Sequence, residues 1–432
     1  MTDYWCPSAW LPDGLVSGVR VRVENGVFTE VSAGSEPGDA TRLPGVVFPG
    51  FANAHSHAFH RGLRGRTHGD GGTFWTWRTR MYDLAGRLDP DNYLLLARAV
   101  YAEMALAGIT CVGEFHYVHH APDGTRYRDP NAMGHALAQA AREAGIRLTL
   151  LDTCYLAGGI GQEISEEQRR FSDGDVHVWA ERVARLAPTP DLRIGAAIHS
   201  VRAVPRAALA TVAAFDGPIH VHLSEQPAEN DACLTAYGRT PTQLLADAGA
   251  LGPRTTAVHA THLTSHDIAL LGESHTGACL CPTTEADLAD GIGPARELAD
   301  AGSPISLGSD QHAVVDMLLE ARALEHGERL RTGQRGRFSP AELVGAMTAH
   351  ASLGWPEAGR IAVGAPADLV AVRLDSPRTA GCTPEQVLLA ATATDIDTVV
   401  VGGREVVRAG VHILGDVGRL LGAAMAVVEA AR

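Results

Sequence analysis

Between residues 45 and 310 the chain alternates short apolar stretches with helix-like ones, and most of the apolar stretches end in histidine or a carboxylate. The candidate strands are GVVFPGFANAH (45–55), TCVGEFH (110–116), RLTLLDTCY (147–155), LRIGAAIHS (192–200), PIHVHLSE (218–225), TTAVHATH (255–262), GACLCPTTE (277–285) and PISLGSD (304–310). Segments such as NYLLLARAVYAEMALAG and PNAMGHALAQAAREAG separate most of them. Parallel strands need a long crossover, usually a helix. Eight units of this spacing predict an α/β fold, a (β/α)8 TIM-like barrel, more readily than an open sheet. Active sites in such barrels lie at the C-terminal ends of the strands. That is where His55, His57, Glu114, His116, His199, His220, His222, Glu225, His259, His262 and Asp310 fall.

The two ends of the chain have a different texture. Residues 15–32, LVSGVRVRVENGVFTEVS, alternate apolar and polar and break at Asn25-Gly26, the signature of a hairpin. Residues 360–410 repeat the style in RIAVGAPADLVAVRL and DTVVVGGREVVRAG. The expected layout is a small β-sandwich domain formed by both termini (1–46 and 355–416), a barrel at 47–354 and a C-terminal helix at 417–432.

Composition narrows the chemistry. The net charge of −14 and the lack of a clustered basic run argue against nucleic acid as a partner and favour small molecules. There is no lysine, so Schiff-base, lysine-base and carboxylated-lysine chemistry are excluded. The seven scattered cysteines form no CxxC, which fits reduced thiols. With neither a basic-then-apolar leader nor an apolar run approaching about 18 residues, the expectation is a soluble cytoplasmic protein without membrane contact.

Residues two apart on a strand point to one side, so His55 and His57 can aim two imidazoles at one point. Alone, this pair is a weak signal. HLSE adds His222 and LGSD adds Asp310, and three imidazoles with one carboxylate make a site for one zinc, with a position left for water and iron as the alternative metal. Such a metal lowers the pKa of its water to about 7. Glu225 and His259, with Asp310, remain as catalytic proton-transfer groups, His262 being the competitor to His259.

PGFANAHSH, HLSE, the histidine after the sixth strand, LGSD and the closing GRIAVGAPADLV together resemble the amidohydrolase superfamily over nearly the whole chain. Without lysine for a bridged metal pair, the mononuclear deaminases are the nearer subtype. Within it, HSHAFHR, FWTWRTRMY, GEFHYVHH, HSVRAV, HVHLSEQ, VHATH and TEADLADGI resemble the formimidoylglutamate deiminases. Nucleobase deaminases usually carry Ser-Asn where this chain has Thr284-Glu285.

The resemblance implies a hydrolase of a linear amidine whose small substrate bears two carboxylates, acting as a homodimer in histidine degradation. It also implies substrate contacts from Arg78, Tyr117, His199 and Arg202, the arginines suiting bidentate carboxylate binding. His60 stands near the substrate, where some family members have glutamine, and would add a titrating charge there. His220 could reach the substrate or stand behind the metal ligands, His119 and His120 would lie in a loop or on the substrate side, and Trp75 and Trp77 would form a wall or lid. The rivals are a nucleobase or nucleoside deaminase on the same fold and a non-enzymatic binding protein on it. Stacking aromatics in place of Arg78 and Arg202 would mark the first, and lost ligands or proton shuttles the second.

Overall fold

The computed structural model describes residues 1–68 and 74–431, without the side chains of Phe74 and Trp75. Eight parallel strands follow one another in chain order: Phe51–Ser56, Ile109–His116, Arg147–Cys154, Leu192–Ile198, Ile219–Leu223, Thr255–His259, Gly277–Leu280 and Ile305–Leu307. A parallel bridge from Ser56 to Asp310 joins the first to the end of the eighth, giving the (β/α)8 barrel. Helix starts between the strands carry their own stop signals for the chain. Thr240, Thr264 and Ser339 each form capping boxes with the residue three positions on.

The barrel interior is plugged at its lower end. Ala52, Ala54, Cys111, Val258, Cys279 and Cys281 are small, and they leave room for Leu353 and Trp355 to enter from below. Trp355 donates its indole N–H to Thr149 Oγ1 at 3.0 Å, so its one polar atom is satisfied.

Residues 45–55, read as one strand from sequence, are two. Val46–Pro49 joins a mixed nine-stranded sheet built from both termini, and Phe51–Ser56 opens the barrel. Gly50 makes the switch, for a Cβ there would lie 2.2 Å from Thr110 Oγ1. The terminal sheet folds over on itself: Ala367 N–H reaches Gly26 O at 2.8 Å, Phe28 N–H reaches Ala365 O at 3.0 Å, and Tyr4, Cys6, Val19, Val21 and Phe28 are buried inside. Arg147, at the start of the third barrel strand, ties the two sheets by pairing with buried Asp368, which also accepts Gly402 N–H at 2.8 Å. A closing helix, Val417–Ala430, packs on Pro90–Leu106. None of the seven cysteines is paired, and no helix among the described residues is long and apolar enough to cross a membrane.

Candidate metal centre and its cavity

Closure of the barrel brings the first and eighth strands together, and with them the HxH pair and Asp310. Asp310 N–H donates to His55 O at 3.0 Å and His57 N–H to Asp310 O at 3.2 Å. Gly308 in LGSD permits the approach, since a Cβ there would lie 2.7 Å from His55 Cβ. His55 Nε2 and His57 Nε2 then stand 3.2 and 3.3 Å from Asp310 Oδ1, and His222 Nε2 stands 3.1 Å from His55 Nε2.

The outer ring nitrogens fix which lone pairs face inward. His57 Nδ1 lies 2.9 Å from Phe115 O and His222 Nδ1 lies 2.9 Å from His199 O. A carbonyl only accepts, so each Nδ1 carries the proton and each Nε2 offers a lone pair to the centre. Burial pushes His55 down to about 3 and His222 well below the usual imidazole range, so both are neutral at pH 7. Burial would raise Asp310, but its contacts with His55 and His57 outweigh this and hold it well below the usual carboxylate range. Imidazole nitrogens around one buried carboxylate form the donor set of a divalent transition metal. The donor atoms of His55, His222, His259 and Asp310 lie within 4.8 Å of one another, and those of His57, His60 and Asp310 form an overlapping group.

His259 approaches the other oxygen of Asp310: its Nε2 is 3.8 Å from Asp310 Oδ2 and 3.8 Å from Glu225 Oε1. Burial would push His259 down, but Glu225, Glu285 and Asp310 raise it well above the ordinary range, so the imidazole is disposed to take a proton. Ser224, His259, Ala260, Asp310 and His312 all have left-handed φ, between 40° and 67°. Backbone strain of this kind persists only where surrounding contacts over-determine it, and it gathers here at the strand ends.

A cavity of about 260 Å³ opens above the centre. His57, His222, Glu225, His259 and Asp310 face it from below, and His60, Arg78, Tyr117, His199 and Arg202 line its walls. His60 Nε2 lies 2.9 Å from Tyr117 OH, and burial holds His60 well below its usual pKa. The titrating charge expected of His60 is therefore absent at neutral pH. Arg78 Nε donates to Tyr82 OH at 2.6 Å, and Gln168 Nε2 donates to Tyr82 OH and Tyr155 OH at 2.9 and 2.8 Å. Arg202 sits 3.4 Å from Glu225 and 3.5 Å from Glu229, whose carboxyl burial pushes up to about 7 despite the arginine.

Some residues that matter here carried a signal that went unread. Met81 and Tyr82 share one face of Phe74–Ala85 with Trp77 and Arg78 by their spacing of three and four, and all four line the cavity. Glu229 follows Glu225 by four residues at the start of Pro227–Tyr237. Gln168 and Tyr155 had none, for only the fold brings them to Tyr82. The Trp75 side chain lies outside the described residues.

Other histidines fall away from the cavity. His220 Nε2 is held by Ser352 O at 2.9 Å, on the side of the lower plug. His119 and His120 lie in the loop after the second strand, as expected, but away from the cavity, buried in a second polar cluster with His116, Asp152 and Asp173. His116, His119 and Asp152 also have donor atoms within 4.8 Å of one another. There, however, Arg182 lies 2.7 Å from Asp152 and 2.9 Å from Asp173, so the protein supplies the cation itself.

Comparison with known proteins agrees with this geometry. The profile of the amidohydrolase family matches residues 46–406. The chain belongs to the amidohydrolase family. This amidohydrolase is 38% identical to a formimidoylglutamate deiminase of Pseudomonas aeruginosa over 95% of its own length and 96% of the relative's. It is 31% identical to an 8-oxoguanine deaminase of the same organism, over 90% of each chain. The crystal structure of an amidohydrolase from Brucella melitensis superposes with a TM-score of 0.93 at 33% identity, covering 100% of both chains. This amidohydrolase is an enzyme, a hydrolase of carbon–nitrogen bonds with deaminase-type activity.

Proposed function

We propose that this amidohydrolase converts N-formimidoyl-L-glutamate and water into N-formyl-L-glutamate and ammonia, a step of histidine degradation. The observation that carries the reading is one cavity joining a metal-type donor set to Arg78 and Arg202. The substrate has two carboxylates and a cationic amidine, and planar guanidinium groups match the carboxylates. The α-carboxylate lies nearer the formimidoyl carbon than the side-chain carboxylate does. Arg202, close to Glu225, therefore suits the α-carboxylate, and Arg78, held by Tyr82, suits the side chain. The identity with the formimidoylglutamate deiminase relative supports the same reading.

Zinc held by His55, His57, His222 and Asp310 would supply the Lewis acidity that makes water a nucleophile near neutral pH. His259, with Asp310, takes the proton from the attacking water. Glu225, 3.8 Å from His259 Nε2, relays a proton that came from the water to the departing nitrogen as the carbon–nitrogen bond breaks, so ammonia leaves and the formyl carbonyl forms as the added hydroxyl gives up its own proton. His199 and Tyr117 line the walls between the arginines, and the His60–Tyr117 hydrogen bond sets the orientation of both rings.

Ammonia release should be rapid with N-formimidoyl-L-glutamate and slow with guanine, 8-oxoguanine, cytosine and adenosine. The reverse order would replace this reading with that of a nucleobase deaminase, the activity for which the 31% identical relative is named. Glu225→Gln and His259→Asn should each lower kcat by about 10²- to 10⁴-fold while metal content, measured by atomic emission, stays at the parent level. Near-normal turnover in either variant would refute the assigned roles.

A further inference from the structure

The Thr284-Glu285 pair lies on the short helix Pro282–Asp287, just past the seventh strand, and both residues are buried. Glu285 approaches His259, and Thr284 the two neighbours of Asp310. Glu285 Oε1 accepts Cys281 N–H at 2.8 Å, which fixes the carboxylate, and lies 3.5 Å from His259 Nδ1. Thr284 Oγ1 lies 3.4 Å from Gln311 N and 3.5 Å from Ser309 O, the residues on either side of Asp310. His259 and Asp310 have φ of 67° and 40°, conformations that need bracing from outside.

We propose that Glu285 is a positioning residue, which holds the Nδ1 proton of His259 and so turns the Nε2 lone pair toward the cavity. The inference rests on the reading of His259 as the group that takes the proton from water. The Glu285 carboxylate, 3.5 Å from Nδ1, favours a proton on that nitrogen, and whenever the ring is neutral the Nε2 lone pair then faces Glu225 and Asp310. The logic is that of the general catalytic triad, in which a buried carboxylate orients a histidine base without itself gaining the proton. Glu285 is not among the residues that line the cavity. Its effect on the reaction passes through His259.

The test compares Glu285→Ala with Glu285→Gln in metal-loaded protein. The amide oxygen of glutamine can keep both the Cys281 and His259 contacts, whereas alanine removes them. Glu285→Ala should lower kcat by about 10²-fold, the size of a misdirected general base, with KM within about threefold and metal content unchanged. Glu285→Gln should recover at least about tenfold of that loss. In 15N-edited spectra, His259 should be the Nδ1–H tautomer in the parent and in Glu285→Gln, and should lose that preference in Glu285→Ala. A kcat for Glu285→Ala within about threefold of the parent would overturn the inference, as would an unchanged His259 tautomer or a loss explained entirely by missing metal. If the parent enzyme does not accept N-formimidoyl-L-glutamate, the proposed substrate fails, and the tautomer measurement still decides the role of Glu285.

Discussion

Two clusters of histidine and aspartate lie near the same rim of the barrel, both buried, and they settle their charge in opposite ways. Around Asp152 and Asp173, Arg182 reaches both carboxylates, Trp179 Nε1 donates to Asp152 at 3.1 Å and Asn131 accepts from the arginine at 3.1 Å. Burial would lower the arginine's pKa, and the two aspartates raise it instead. Around Asp310, the near neighbours are imidazoles, and the outer nitrogens of His57 and His222 are turned toward backbone carbonyls and that of His259 toward Glu285. A buried charge must be neutralised or paired. The donor spacing of the two clusters is similar, so spacing alone does not mark a metal centre. The absence of an arginine beside Asp310, among the described residues, is what leaves that role to an external cation.

Substitutions in the two clusters should therefore part company. Asp310→Asn removes the anionic ligand, and kcat/KM should fall by about 10³-fold or more, the several kcal/mol that a Lewis acid contributes. Metal content should fall with it, and the folded barrel should persist. Arg182→Met leaves two buried carboxylates without their guanidinium and should cost about 3–5 kcal/mol of stability in denaturant unfolding. The fraction that folds should keep its metal and its kcat. If Arg182→Met lost metal in the folded state, or Asp310→Asn retained it, the division between the clusters would not hold.

The same division explains what could be read before the fold was known. The barrel was legible because each strand is an apolar run with a helical crossover after it. The ligands were legible because they are short-range features, HxH, HLSE and LGSD, at the ends of those runs. The second cluster was not, since Arg182 is thirty residues past Asp152 on a helix whose inward face looks like any amphipathic surface. For the same reason His119 and His120 could not be told from substrate-side residues. The switch at Gly50 was hidden because Val46–Pro49 and Phe51–Ser56 are equally apolar, and only the approach of Thr110 separates them.

Acid and base should act on the two regions in opposite directions. Burial would raise Asp173, but the hydrogen bond with His120 and the charge of Arg182 outweigh it and hold the carboxyl well below its ordinary range. A depressed carboxyl contributes stability that is present above its unfolded value of 3.8 and is lost as the pH falls below it. Glu229, beside Arg202 in the cavity, is pushed by burial from 4.5 to about 7. Its contribution is present below 4.5 and is lost as the pH rises from there through about 7, because over that span ionisation is favoured only in the unfolded chain. In metal-free protein, Glu229→Gln should gain thermal stability relative to the parent between pH 5 and pH 8. A difference in Tm that stays constant across that interval would show that Glu229 is not held protonated in the fold.

The smallest effect should come from His60, which separates metal binding from substrate binding within the catalytic region itself. Its ring lies 4.5 Å from that of His57 and 5.1 Å from Trp77, and its Nε2 meets Tyr117 OH, yet burial keeps it uncharged. A glutamine can take up the Tyr117 hydrogen bond with its amide, so His60→Gln exchanges one neutral partner for another and alters only shape and donor direction. Metal content should not change. KM for N-formimidoyl-L-glutamate should shift by less than about tenfold, the scale of one neutral hydrogen bond remade in a new geometry. The ratio of variant to parent KM should be flat between pH 6 and pH 8, since neither side chain gains or loses charge there. A ratio that rose or fell steadily across that range would mean that His60 titrates in the enzyme, and that its burial against Trp77 and Tyr117 does not exclude the proton.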